Sequence, residues 1–333
     1  MQAASLPTAA SGSCPVGVPR LRPDFANGDI GKIAAHLLCY LPEPDERPAA
    51  GTLMCTAHEL DCRFGLPGTI QRLPGWNAPA RAREVGLWGA RLASLASHGP
   101  RAATDPILLE AAAFNLAVAL FDTVVDEMPG SLPPLAAALN PGVLARCIER
   151  AESHEIERMP VPDEITVVVR LFGYVLASAG RRYRAHRAVR AELTDLLRVM
   201  YESELGISQE RAAAKILPVV WIGGLAGAHK GSAASEMFHR LAQFIARWDD
   251  AQDLRDDWLR GRYNAYLTFS GGRWSPLRGA LVGTSRLVFA HRSVSNIRID
   301  LERSLVDVLA AAEACGRRDA AACFLADLIG RAA

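Results

Sequence analysis

Between Trp248 and Asp257 the chain reads Trp-Asp-Asp-Ala-Gln-Asp-Leu-Arg-Asp-Asp, five aspartates within nine positions. The residues around it carry helical spacing and predict a helix from near Ser235 to Arg260, with Gly261 as its C-terminal stop. At about 100° per residue, Asp249, Asp253, Asp256 and Asp257 fall within an arc of roughly 100°, with Asp250 at its edge. Like charges at i,i+4 destabilise a helix by about 0.2–0.5 kcal/mol per pair, and carboxylates near a helix C-terminus also oppose its dipole. Such a helix needs something cationic against it, and a divalent metal is the economical answer. The plain alternative is a solvated acidic face.

A second cluster favours the metal. Asp122-Thr123-Val124-Val125-Asp126-Glu127 closes a stretch that is apolar on almost every side from Ala111 to Phe121. A helix apolar all round is normally buried. Carboxylates on it must be paired or coordinate a metal, because burying them bare costs too much. Asp122 and Asp126 share a face, whereas Glu127 points about 100° away from Asp126. Two buried aspartate clusters on separate helices predict a shared metal site inside a helical bundle.

Strand signals are almost absent and no internal repeat is visible, so the fold class expected is all-α. Residues 1–50 read as a flexible or irregular N-terminal segment, with a short helix over Asp29–Tyr40, and residues 51–333 as a single α-helical domain. From Gly51 to Pro79 the breakers Pro67, Gly68, Pro74 and Gly75 leave the pattern irregular. Helices are then predicted over Ala82–Ser97, from Asp105-Pro106 to Met128-Pro129-Gly130, and over Leu132–Ala151 with an interruption at Asn140-Pro141. Further helices follow from Asp163 through Leu176, over Val189–Glu204, and over Gln209–Gly227 with a kink at Pro218. A pair over Thr284–His291 and Ile297–Ala314 and a closing helix over Asp319–Ile329 complete the chain.

Composition narrows the classes of function. The 333 residues are 50% hydrophobic and 22% charged with a net charge of +1, which gives no electrostatic case for nucleic acid or a membrane surface. Seven cysteines without CxxC or zinc-ligand spacing read as reduced thiols, which fits a cytoplasmic setting. No basic region followed by an apolar run marks a secretory signal. The most apolar segment is interrupted by Glu110, Asn115 and Asp122, so no membrane span is expected. The histidines form no HExxH and no recognisable hydrolase motif. Gly223-Gly224-Leu225-Ala226-Gly227 lacks the flanks of a phosphate loop and reads as close helix packing or a bend.

The two clusters resemble the metal-binding motifs of class I isoprenoid synthases: trans-prenyl diphosphate synthases, squalene and phytoene synthases, and class I terpene cyclases. The resemblance covers roughly residues 82–270. Asp249-Asp250-Ala251-Gln252-Asp253 matches the DDxxD of prenyl synthases, and Asp249, Asp253 and Asp257 take the i, i+4, i+8 spacing of the cyclases' three-ligand motif. Asp253 to Asp257 followed by Arg260-Gly261-Arg262-Tyr263 is similar to the segment after the second phytoene synthase motif. The first cluster has Thr123 where prenyl synthases carry a second Asp, and is closer to a DxxxD. Lys215, 34 residues before Asp249, sits near a lysine that contacts diphosphate in prenyl synthases. The basic GKRxRP segment of chain-extending enzymes has no counterpart; Gly89-Ala90-Arg91-Leu92 is the nearest.

The resemblance implies a helical bundle with a central active-site cavity, three Mg²⁺ ions, and a linear prenyl diphosphate as substrate. Asp122, Asp126, Asp249, Asp253 and Asp257 are then the metal ligands, with Asp250 and Asp256 as second choices that pair with Arg255, Arg260 or Lys215 or face solvent. Asp122, Asp126, Asp249 and Asp253 are the catalytic set. Lys215, Arg262 and Tyr263 are expected to hold diphosphate, and Phe114, Trp221 and Trp248 to line the cavity as aromatic faces for a carbocation. Retaining the ionising site without the acceptor site favours a terpene cyclase acting on farnesyl or geranylgeranyl diphosphate. Alternatives are a prenyltransferase, chain-extending or head-to-head, and a non-catalytic helical protein of the same fold. Homodimers are common among such proteins.

Overall fold

The computed structural model describes residues 27–41, 50–96, 105–207, 212–254, 257, 264–268 and 285–331. Among them there is no strand, and the chain is all-α as expected. The organising element is α5 (Asp105–Glu127), a helix of 23 residues. Its side chains are buried nearly all the way round, from Leu108 and Leu109 through Phe114 and Leu120 to Val124. Around it pack α2 (Ala50–Phe64), α4 (Pro79–Ser94), α9 (Thr166–Arg182) and α11 (Ala213–Leu225). By length and composition Pro106–Glu127 does qualify as a membrane-crossing helix, contrary to the expectation from its polar residues, and 67% of that window is buried within the fold. Its polar groups are satisfied by neighbouring helices. Buried Glu110 pairs with Arg182 and accepts from Ser178, and Asn115 donates to the carbonyl of Val85 at 2.6 Å.

The crossing of α4 over α5 depends on Gly89. A Cβ at that position would lie 2.2 Å from the carbonyl oxygen of Ala111 and 2.6 Å from the Cβ of Asn115. The backbones meet because no side chain separates them. Gly223 does the same for α11, where a Cβ would meet the ring of Phe238 at 2.5 Å. Within the run 223–227, Gly223 thus serves packing, while Gly227, at φ +102° with open space around its Cβ position, turns the chain after α11.

From α9 the bundle continues through α7 (Pro141–Arg150) and α10 (Arg187–Glu204) to α11, then α12 (Ala233–Gln252), α14 (Ser285–Ala314) and α15 (Arg318–Gly330). Short helices α3 (Leu66–Thr69), α6 (Leu132–Ala138), α8 (His154–Glu157) and α13 (Ala265–Thr268) fill the connections. Within the 1–50 segment the expected short helix is α1 (Asn27–Leu38), and it packs against α14 and α15.

Three boundaries differ from expectation. Residues 50–64, assigned no structure from sequence, form α2, whose inner stripe of Thr56, Ala57, Leu60 and Phe64 is too small and polar at its start to stand out. The expected pair of helices near the C-terminus is one helix of 30 residues, because Ser293-Val294-Ser295-Asn296 contains no glycine or proline to break it. Finally, α12 breaks after Gln252, with Asp253 as its C-cap at φ −90°, ψ 0°, although Leu254 and Asp257 are again helical; the expected end at Arg260 lies outside the described residues. Stacked aspartates opposing the dipole are a physical reason for a break at that point.

Replacing Gly89 by alanine should lower the unfolding free energy by about 1–3 kcal/mol, the usual cost of overpacking where backbone stands in the way. Equilibrium urea unfolding measures it, and an unchanged midpoint would mean the α4–α5 crossing has slack.

Candidate metal and diphosphate site at four helix ends

The C-terminal ends of α5, α10 and α12 and the N-terminal end of α11 converge. Asp122 and Asp126 occupy the last two turns of α5, Glu204 closes α10, Lys215 lies in the first turn of α11, and Asp249 and Asp250 lie in the last turn of α12. Three helix C-termini each direct a partial negative charge of about half an elementary charge to this place. Adding carboxylates to it makes a strongly negative region.

Lys215 joins the two halves. Its Nζ donates to Asp249 Oδ2 at 2.7 Å and to Asp250 Oδ1 at 2.6 Å. Burial works against the ammonium charge, but the pull of Asp249 and Asp250 outweighs it and raises the Lys215 pKa above the usual lysine value. On the other side, Glu204 is hydrogen-bonded with Asp122 and feels the charges of both Asp126 and Lys215. Burial first, and Asp122 second, push the Glu204 carboxyl up to about 8. Ser203 fixes the junction, its hydroxyl accepting from the Ala214 N–H at 3.1 Å.

The five aspartates of the second cluster separate into different roles. Asp249 is half exposed and bound to Lys215, and Asp253 is exposed. Asp250 is only 4% exposed and bound to Lys215 and to the Ala265 N–H at 3.0 Å. That fits the pairing with Lys215 foreseen as its alternative to metal. Asp257 is buried and accepts from Asn264 at 2.9 Å. The bonds from Asp253 N to Asp249 O at 2.9 Å and from Asp257 N to Asp253 O at 2.8 Å keep Asp249, Asp253 and Asp257 in helical register beyond the cap. Arg255, Asp256, Arg260, Arg262 and Tyr263 lie outside the described residues.

Two expectations need correction. The first cluster is not buried: Asp122 and Asp126 are both exposed, because α5 leaves the core in its last turns while only Phe121 and Val124 remain inside. Nor do the three aromatic candidates face open space. Phe114, Trp221 and Trp248 expose 1% or less of their surface, and Phe114 stacks on Trp221 at 3.9 Å between centroids. Trp221 also donates to the Leu193 carbonyl. A side chain with no accessible surface has no room for even a water beside it, so here they are core. A groove of about 350 Å³ lined by Met54, His58, Asp61 and Trp88 shares no residue with the acidic site.

Glu204 was missed, although its signal was present. It continues the buried stripe Leu193, Leu197, Met200 at i+11, i+7 and i+4, so an acidic residue falls where the pattern wants an apolar one. Thr123, the departure from DDxxD, accepts from the Trp76 indole N–H at 2.9 Å and donates to the Ala119 carbonyl. A carboxylate there would have no donor from Ala119 to face. Among the described residues no three His, Cys, Asp or Glu side chains already converge tightly enough to hold an ion. No protein-family model matches the chain, and no curated protein matches it.

Because the folded-state pKa of Glu204 lies above its ordinary value of 4.5, its contribution to stability is present below that value and is lost as pH rises toward about 8. The metal-free protein should therefore lose stability across this interval, and Glu204→Gln should flatten the decline. Thermal unfolding at a series of pH values in chelator checks both; identical pH profiles would show that Glu204 does not hold the proton.

Proposed function

We propose that this chain is a class I isoprenoid synthase working as a Mg²⁺-dependent terpene cyclase on a linear prenyl diphosphate. The observation that carries the reading is the Lys215 bridge. Lys215 bonds Asp249 and Asp250 at the DDxxD-like end of α12, and Glu204, bonded to Asp122 at the DxxxD-like end of α5, feels the Lys215 charge. The donor chemistry fits magnesium, a hard cation that takes carboxylate oxygens and completes its shell with phosphate and water. Asp122 and Asp126 on one side, and Asp249, Asp253 and Asp257 on the other, are the residues to hold it. When bound, it neutralises the negative charge that grows on diphosphate as the allylic carbon–oxygen bond breaks.

The protein's own groups do the rest. Lys215, whose Nζ donates to Asp249 and Asp250, would offer a point charge to a phosphate oxygen brought beside those carboxylates. Phe121 precedes Asp122 and stacks on Tyr201 at 6.4 Å, one turn before Glu204. Phe121 is itself buried, so the ring with surface beside the acidic rim is the half-buried Tyr201, and a desolvated cation over such a ring would gain about 2 kcal/mol.

Support for cyclisation over chain extension comes from α4. Gly89 is used in helix packing, while Arg91 pairs with Asp327 at 3.0 Å and lies over the Trp88 ring. The segment nearest to an acceptor-diphosphate motif is thus occupied in holding the fold.

Incubating the protein with farnesyl or geranylgeranyl diphosphate and Mg²⁺, without isopentenyl diphosphate, should release diphosphate and a product containing one substrate's carbons. Asp122→Asn and Asp249→Asn should each slow turnover by at least about a hundredfold, the upper range for disturbing a metal's supporting shell. Product only when isopentenyl diphosphate is added, or a product joining two prenyl chains, would assign a transferase instead. No turnover with any of these substrates would count against the enzyme reading.

A further inference from the structure

Asn264 is 0% exposed, and each polar atom of its side chain has work. Its Nδ2 donates to the carbonyl oxygen of Asp250 at 2.6 Å and to Oδ2 of Asp257 at 2.9 Å. Its Oδ1 accepts from the Tyr266 N–H at 3.0 Å. The next residue, Ala265, donates its N–H to Asp250 Oδ2. Tyr266 then anchors the segment by donating its hydroxyl to Asp300 on α14 at 2.9 Å. A chain segment beyond the acidic run therefore folds back and grips it at two of its five aspartates.

The grip is selective. Asp250 is fully committed, with one oxygen on Lys215 and the other on the Ala265 N–H. Asp257 is held through Oδ2 by an amide, a neutral donor that fixes a carboxylate without cancelling its charge. A buried carboxylate held in this way is costly unless a cation reaches it. Ligating carboxylates are themselves commonly oriented by outer hydrogen bonds, and loss of such a partner costs about 10–100-fold in metal affinity. We infer that Asn264 is a positioning residue for Asp257, fixing one carboxylate oxygen so that the other joins Asp249 and Asp253 in binding magnesium and diphosphate. This rests on the isoprenoid synthase reading and adds to it an outer residue that none of the motifs contains. The rival is a purely structural clasp, in which Asn264 orders the turn and Asp257 never meets a cation.

The two accounts part in a binding measurement on the full chain. Titrating Mg²⁺ in the presence of inorganic pyrophosphate by calorimetry should show affinity weakened about tenfold in Asn264→Ala and at least as much in Asp257→Asn. The double variant should bind no more weakly than Asp257→Asn alone, because Asn264 acts through Asp257. Melting temperatures in chelator report any general loss of fold. Should Asn264→Ala fail to fold, Asp257→Asn, which keeps a side chain of the same shape, decides alone. Native affinity in Asp257→Asn, or a lower melting temperature in Asn264→Ala with native affinity, overturns the inference in favour of the clasp. If Asp249→Asn has lost affinity in the same series, the isoprenoid reading survives that failure. A native chain that takes up no magnesium with pyrophosphate overturns both.

Discussion

Negative charge concentrated at helix C-termini is the constraint around which this protein is arranged. Three helices, α5, α10 and α12, end together, and each end carries carboxylates in addition to its own unsatisfied carbonyls. Left alone, such an arrangement repels itself. The ammonium of Lys215, entering from the first turn of α11, lies between them and bonds Asp249 and Asp250 directly. Burial and the neighbouring Asp122 raise the Glu204 pKa, which favours its neutral form and so lessens the repulsion. Such a concentration of carboxylate is what the proposed cation site would require.

The rest of the fold serves to bring those ends together. An apolar α5 can be buried on all sides only if its neighbours approach closely, and Gly89 permits this on the α4 side. Gly223 does so where α11 meets α12. With α11 fixed against both α5 and α12, Lys215 has no choice about where its side chain emerges. The same packing explains why Phe114 and Trp221 lie stacked in the interior rather than along a chamber. Their area holds α5, α9 and α11 together, and the aromatic surface left beside the acidic rim is that of half-buried Tyr201, stacked on buried Phe121.

Much of this was legible in the residues. The all-round apolarity of 111–121 marked the central helix, the aspartate spacing marked the two acidic ends, and resemblance alone singled out Lys215, which bonds Asp249 and Asp250. Helix α2 was not legible, since its stripe begins with Thr56 and Ala57, which carry little hydrophobic signal. Burial of Asp122 was wrongly expected because periodicity along a helix does not say where that helix leaves the core. Glu204 and Asn264 were missed for another reason. Their importance comes from contacts with aspartates on other elements or well along the chain, and no local spacing encodes that.

The central claim is that the acidic ends of α5 and α12 form one cation site. Crystals of the native chain grown with Mn²⁺ and inorganic pyrophosphate, read through the anomalous signal of the metal, test it most directly. The account predicts peaks between the Asp122–Asp126 and Asp249–Asp253 carboxylates with pyrophosphate bridging them. Peaks confined to one cluster, or none at either, would contradict it.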